Sequence, residues 1–99
     1  MRLELTEAAL ADLRSIRLYT LQAWGTEQEA RYIDMLWEKF MEILHEPGRW
    51  RFRKDLFPGC QIAAAGKHVV LFRINDGTLQ VVRVLHGAMD FSRHLTGDF

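Results

Sequence analysis

The sequence predicts an α+β fold in which an N-terminal strand and an α-helical hairpin pack on an antiparallel β-sheet. Three observations carry this. Apolar residues recur at helical spacing through the first 46 residues. The period switches abruptly after Pro47. Three strand-like runs then follow, and the last two are separated by Asp76-Gly77, a strong type I′ hairpin signal. Helices first and strands afterwards is the order of a layered α+β domain.

Met1 to Leu5 reads as a short strand, with Leu3 and Leu5 on one face. Thr6 is placed to cap a helix whose first turn carries Glu7, where the macrodipole favours an anion. Leu10, Leu13, Ile16, Leu21 and Trp24 continue that helix, and Gly25 ends it. Thr26-Glu27-Gln28-Glu29 fits a capping box and starts a second helix at once. Its stripe of Ala30, Ile33, Trp37, Phe40 and Leu44 is widened by Tyr32, Leu36 and Ile43. Pro47 and Gly48 stop it at Glu46. One tight connection between two helices makes an antiparallel hairpin.

Arg49 to Lys54 then alternates basic and aromatic residues. Strands are expected over Cys60–Ala65, His68–Asn75 and Thr78–His86. Val69 to Phe72 is apolar on both faces, which makes the middle strand central. Met89 to Leu95 is expected as a short helix, followed by a frayed tail over Thr96–Phe99.

Ninety-nine residues allow one domain spanning 1–99, which hides about 65% of its surface and so gains from a partner. No apolar run approaches a membrane span, and the acidic N-terminus is unlike a signal peptide, so a cytoplasmic protein is expected. The lone Cys60 allows no internal disulfide, and no histidine has metal-ligand spacing, so neither metal nor cofactor is expected. Net charge is zero, but residues 1–46 hold five basic and nine acidic groups, whereas residues 47–99 hold eight basic and four acidic. The second half therefore suits an anionic partner.

Several residues could carry chemistry. The run Arg49–Lys54 could hold phosphates while Trp50 and Phe52 stack on bases, or it could be an edge with its aromatics inside. Arg73 and Arg83 interrupt apolar strands, so each needs a carboxylate partner (Asp55, Asp90 or one on a helix) or an anion to bind. His45 suits a helix C-terminus, and His86 at a strand end is placed for acid–base work or for simple packing. Ser15, Ser92 and Cys60 have no adjacent base, so no nucleophile is identified.

Three stretches resemble ParE-type toxins of bacterial toxin–antitoxin modules. They are Ala11 to Thr20 with Trp24-Gly25, Gly66 to Ile74, and Val82 to Asp90 with Arg93-His94-Leu95. The resemblance covers residues 3–95. It implies the RelE/ParE fold, a curled antiparallel sheet with an N-terminal helical hairpin. It also implies a toxin held inactive by a ParD-like antitoxin, with DNA gyrase as the target, no bond broken by the toxin and no direct contact with nucleic acid. Arg73, Arg83, His86 and Arg93 are then candidate target-binding residues. Tyr19, Trp24, Tyr32, Leu36 and Trp37 are candidate antitoxin-binding residues, because the hairpin's apolar surface exceeds what the sheet can cover; the competing reading makes all five core. The alternative function is that of the RelE branch, a ribosome-dependent messenger RNA endoribonuclease. Against it, that branch's basic segment is only partly echoed by Arg51, Arg53 and Lys54, and its C-terminal tyrosine is absent.

Overall fold

The computed structural model describes residues 1–95, so the expected tail lies outside the described residues. Strand β1 (Arg2–Leu5) leads into helices α1 (Glu7–Trp24) and α2 (Thr26–His45). A 3-10 turn over Pro47–Arg49 precedes β2 (Arg51–Phe52), β3 (Gln61–Ala65), β4 (His68–Asn75) and β5 (Thr78–His86). The five strands form one sheet in the order β1-β5-β4-β3-β2. Its central strand is β4, as the two-sided apolar run requires.

The sheet is mixed, which corrects the expectation of an antiparallel one. Strands β2 to β5 are antiparallel, but β1 runs parallel to β5, with Leu3 opposite Leu79 and Leu5 opposite Val81. A parallel pair needs a long crossover, and the whole hairpin and meander supply it. Asp76 and Gly77 both adopt positive φ, 49° and 71°, as a type I′ turn demands.

Thr6 caps α1 as expected, its hydroxyl accepting from the Ala9 amide at 3.0 Å. The capping box of α2 does not form. Gly25, at φ 92°, is itself the N-cap, and the Glu29 amide donates to the Gly25 carbonyl at 3.1 Å. A one-residue connection leaves Thr26 already helical, so its side chain cannot cap, and Glu29 instead accepts from Arg17 at 3.2 Å. The expected terminal helix is a single 3-10 turn, Phe91–His94.

Two apolar layers sandwich the sheet. The hairpin contributes Ala9, Leu13, Ile16, Leu36, Phe40 and Ile43 against Val70, Phe72, Leu79, Val81 and Val84. On the other face Phe57, Cys60, Leu71, Val82 and Leu85 are covered by Leu56, Phe91 and Leu95. Each fully buried large side chain contributes about 1.5–3 kcal/mol. The Cys60 thiol lies inside this second layer and burial pushes it up to about 12, so it is a packing group without nucleophilic character.

Strand β1 covers the edge of β5 only as far as Val81. Beyond it the start of α1 takes over. The Thr6 amide donates to the Val81 carbonyl at 3.0 Å, and the Thr6 hydroxyl to the Val82 carbonyl at 2.7 Å. The Asp12 carboxylate accepts the Val84 amide at 2.9 Å. Side chains thus satisfy an edge that would otherwise be open to strand pairing. A bulge at Val82, between the pairs Leu71–Arg83 and Phe72–Val81, falls immediately before Arg83.

Candidate functional site

Arg83 is the most constrained of the candidate residues. Its Nε and Nη2 donate to Asp12 at 2.7 and 2.8 Å, a bidentate fork, and its Nη1 donates to the His94 carbonyl. The hydrogen bond to Asp12 holds the guanidinium charged, its pKa above the ordinary arginine value. The side chains are only 21% and 13% exposed. Of the two readings open for Arg83, the helix-carboxylate pairing is the one formed. Asp12 itself escaped identification as a functional residue. Its signal was an acid on α1 one turn before the buried Ile16, on the flank that turns toward the sheet.

The four target-binding candidates do not converge. Arg73 donates to Gln80 Oε1 at 2.9 Å and lies over the Phe57 ring, at the end of the sheet near the Asp76-Gly77 turn. His86 pairs with His68 at the opposite end of the β4–β5 ladder, about 17 Å away along β4. Arg93 is solvent-exposed beside Asp90 at 3.7 Å. Arg83, His86 and Arg93 share the C-terminal side of the molecule; Arg73 lies apart.

At that end, His68, His86 and Tyr32 form a cluster. The Tyr32 hydroxyl lies 2.5 Å from His68 Nδ1 and accepts the Lys67 amide at 3.0 Å. His68 and His86 meet edge to face, 5.5 Å between centroids. A Cβ on Gly66 would come within 2.9 Å of the Tyr32 hydroxyl, so the turn closes tightly on the ring. Burial pushes the Tyr32 phenol up. Burial, and secondarily the neighbouring His86, pushes His68 below the ordinary imidazole value, while Asp12 opposes the shift. The folded chain therefore binds fewer protons here than the unfolded chain, whose imidazole titrates near about 6.5. Stability is full above about pH 6.5 and falls as pH drops toward the folded-state value. Urea unfolding should show a lower midpoint at pH 5 than at pH 7.5, and His68→Gln should flatten that difference. An unchanged pH profile in His68→Gln would remove the cluster from this role.

The five antitoxin-binding candidates separate. Leu36 is fully buried in the main core, so it offers nothing to a partner, and that expectation is corrected: it sits on the face of α2 that meets the sheet. Tyr32 is half-buried and engaged with His68 and Lys67. Tyr19, Trp24 and Trp37 are exposed. Among the described residues, seven of the eleven exposed large apolar side chains lie on the hairpin: Leu10, Leu18, Tyr19, Leu21, Trp24, Trp37 and Met41.

Helical geometry groups them. Leu10, Leu21 and Trp24 share a flank of α1 with Arg17, which reaches Glu29 on α2, so this flank faces α2. Trp37 and Met41 share a flank of α2 with Asp34. The other flank of α2 is taken by Tyr32, Met35 and Lys39, which meet His68, Gly66 and Trp50. The Trp37–Met41 flank therefore faces α1. The groove on this side of α2 is lined by Asp34, Trp37, Glu38 and Met41, so two apolar side chains stand there beside two acidic ones. Tyr19, seven residues from Asp12, lies on the opposite flank of α1. Leu10, Leu21 and Met41 were missed because periodicity alone does not say which apolar residues the sheet leaves uncovered.

Among the described residues no group of three or more metal-ligating side chains occurs, and no helix is long and apolar enough to cross a membrane.

Comparison with known proteins matches residues 3–91 to the family model "ParE toxin of type II toxin-antitoxin system, parDE". A relative from Caulobacter vibrioides, Toxin ParE1, is 36% identical over 91 residues, which span 92% of this chain and 94% of that one. The fold is similar to the chromosomal ParDE system of P. aeruginosa, with TM-score 0.76, 20% identity and coverage of 87% and 95%. It is also similar to the intact E. coli RelBE toxin–antitoxin complex, with TM-score 0.59, 18% identity and coverage of 89% and 98%.

Proposed function

Because this chain belongs to the ParE toxin family of type II toxin–antitoxin systems, we propose that it inhibits DNA gyrase without catalysis and is neutralised in the cytoplasm by a ParD-like antitoxin. The observation that carries the non-catalytic reading is the Arg83–Asp12 fork. A ribonuclease needs uncommitted cations converging on a scissile phosphate. Here the arginine best placed on the sheet is already neutralised by a carboxylate from α1.

The antitoxin reading rests on the hairpin groove. Leu10, Leu21, Trp24, Trp37 and Met41 offer an apolar seat for an amphipathic helix, and Asp34 and Glu38 favour basic residues along its rim. The gyrase contact belongs on the other side, where His86 and Arg93 stand exposed and Arg83 ties the C-terminal segment to α1. Arg73 lies outside that contact.

Induced expression without antitoxin tests the function. Loss of supercoiling activity with intact transcripts is the expected result. Rapid cleavage of transcripts on ribosomes, with supercoiling untouched, would replace gyrase inhibition by the RelE-type activity.

A further inference from the structure

The run Arg49–Lys54 resolves into a built edge. Trp50 packs against the main core, its ring 5.1 Å from Lys39 Nζ and 4.8 Å from the Arg49 guanidinium. Phe52, two residues on, stays 53% exposed, and Lys54 Nζ sits 5.2 Å from its ring centroid. Arg51 lies directly opposite Ile62, which is opposite Leu71, so it belongs to the sheet face away from the helices. Cations thus flank an exposed aromatic on both sides of the outermost strand.

This edge is held rigidly. The buried Gln61 amide donates to the Pro47 and Trp50 carbonyls at 3.0 and 3.1 Å. The Arg53 amide donates to the Cys60 carbonyl at 2.8 Å, and Arg53 grips Asp55 at 2.9 and 2.8 Å. Arg53 is therefore neutralised, and Arg49 is partly so by Glu42 at 3.3 Å. Arg51 and Lys54 have no carboxylate partner among the described residues.

We propose that the β2 edge binds a single strand of DNA, with a base stacked on Phe52 and phosphates held by Arg49, Arg51 and Lys54. Charge complementarity names a polyanion. The exposed ring favours an unstacked base over a duplex, whose bases are already stacked. Strand addition by an acidic peptide is the weaker fit, because β2 offers only two residues of register. The choice of DNA over RNA rests on the gyrase reading, since that target works on DNA. This inference departs from the expectation of no direct contact with nucleic acid.

The test is fluorescence anisotropy of a labelled oligodeoxythymidylate with the purified full chain. Three phosphate contacts predict a log–log salt slope of about −2. Phe52→Ala should weaken binding about tenfold at unchanged slope. Arg51→Ala with Lys54→Ala should cut the slope to about −0.7. Circular dichroism checks that both variants keep the fold, which is expected because these side chains lie outside both apolar layers. Any of four results overturns the proposal: no binding at low salt, tighter binding to oligouridylate, duplex binding indifferent to Phe52, or complete displacement by an acidic peptide that binds more tightly. Full inhibition of supercoiling by a variant that has lost DNA binding would sink this inference and leave the gyrase reading standing. Tight oligonucleotide binding by a chain that spares supercoiling would do the reverse.

Discussion

Replacing Asp12 with alanine is expected to lower the unfolding free energy by about 3 kcal/mol, enough to move the thermal midpoint down by roughly 15 °C in a chain of this size. The carboxylate accepts three hydrogen bonds, two from Arg83 and one from the Val84 amide. Removing it strands a guanidinium that is mostly buried and leaves a strand-edge N–H without its acceptor. Arg83→Ala should also destabilise, because it leaves the Asp12 carboxylate, itself only 13% exposed, without its cation, although Asp12 keeps the Val84 amide. The double variant should be less destabilised than the sum of the singles, since the largest cost in Asp12→Ala is the unpaired arginine. Asp12→Asn should fall between, keeping an acceptor but losing the charge-assisted fork. Urea unfolding of the four proteins measures all of this. A loss below about 1 kcal/mol in Asp12→Ala would mean that water replaces the carboxylate freely and that the fork is a surface pair.

That fork also marks the limit of what the sequence could disclose. The helices, the Asp76-Gly77 turn and the central β4 were legible because each rests on local periodicity or local turn chemistry. The parallel seating of β1 was not, because nothing in four residues encodes which neighbour they meet. The capping box at Thr26 misled for a related reason: its pattern is real, but a one-residue connection had already fixed the backbone. For Arg83 the need for a partner was readable from its place in an apolar strand. The identity of that partner, 71 residues earlier, was a matter of tertiary geometry. The hairpin was legible as over-supplied with apolar surface, yet the division between core and groove was not. Leu36 and Trp37 are adjacent in sequence, and one is fully buried while the other is 39% exposed. A rotation of one position around a helix decides that, and the sheet's placement sets the rotation.

The groove makes the second large effect predictable. Met41→Glu should weaken the complex with a co-expressed ParD-like antitoxin by at least about thirtyfold, roughly 2 kcal/mol. Met41 is about half exposed on the floor of the groove, beside Asp34, Trp37 and Glu38. A carboxylate there removes apolar contact, and a bound helix would bury it beside the like charges of Asp34 and Glu38. The free chain should unfold at nearly the same urea concentration, because the side chain contributes little to either buried layer. Trp37→Ala should also weaken binding, but its ring packs edge to face on Phe40 at 5.1 Å, so part of its effect is on folding. Tyr19→Ala is the control: it is more exposed than either, yet it sits on the opposite flank of α1 and should change affinity by little. The difference is expected mainly in the dissociation rate, since the encounter between the two chains is not what Met41 governs. In cells the same variant should remain toxic in the presence of an antitoxin that silences the parent chain. If Met41→Glu binds normally while Tyr19→Ala releases the antitoxin, the partner helix lies on the Asp12 flank. Neutralisation would then act through the Arg83 fork rather than through the groove.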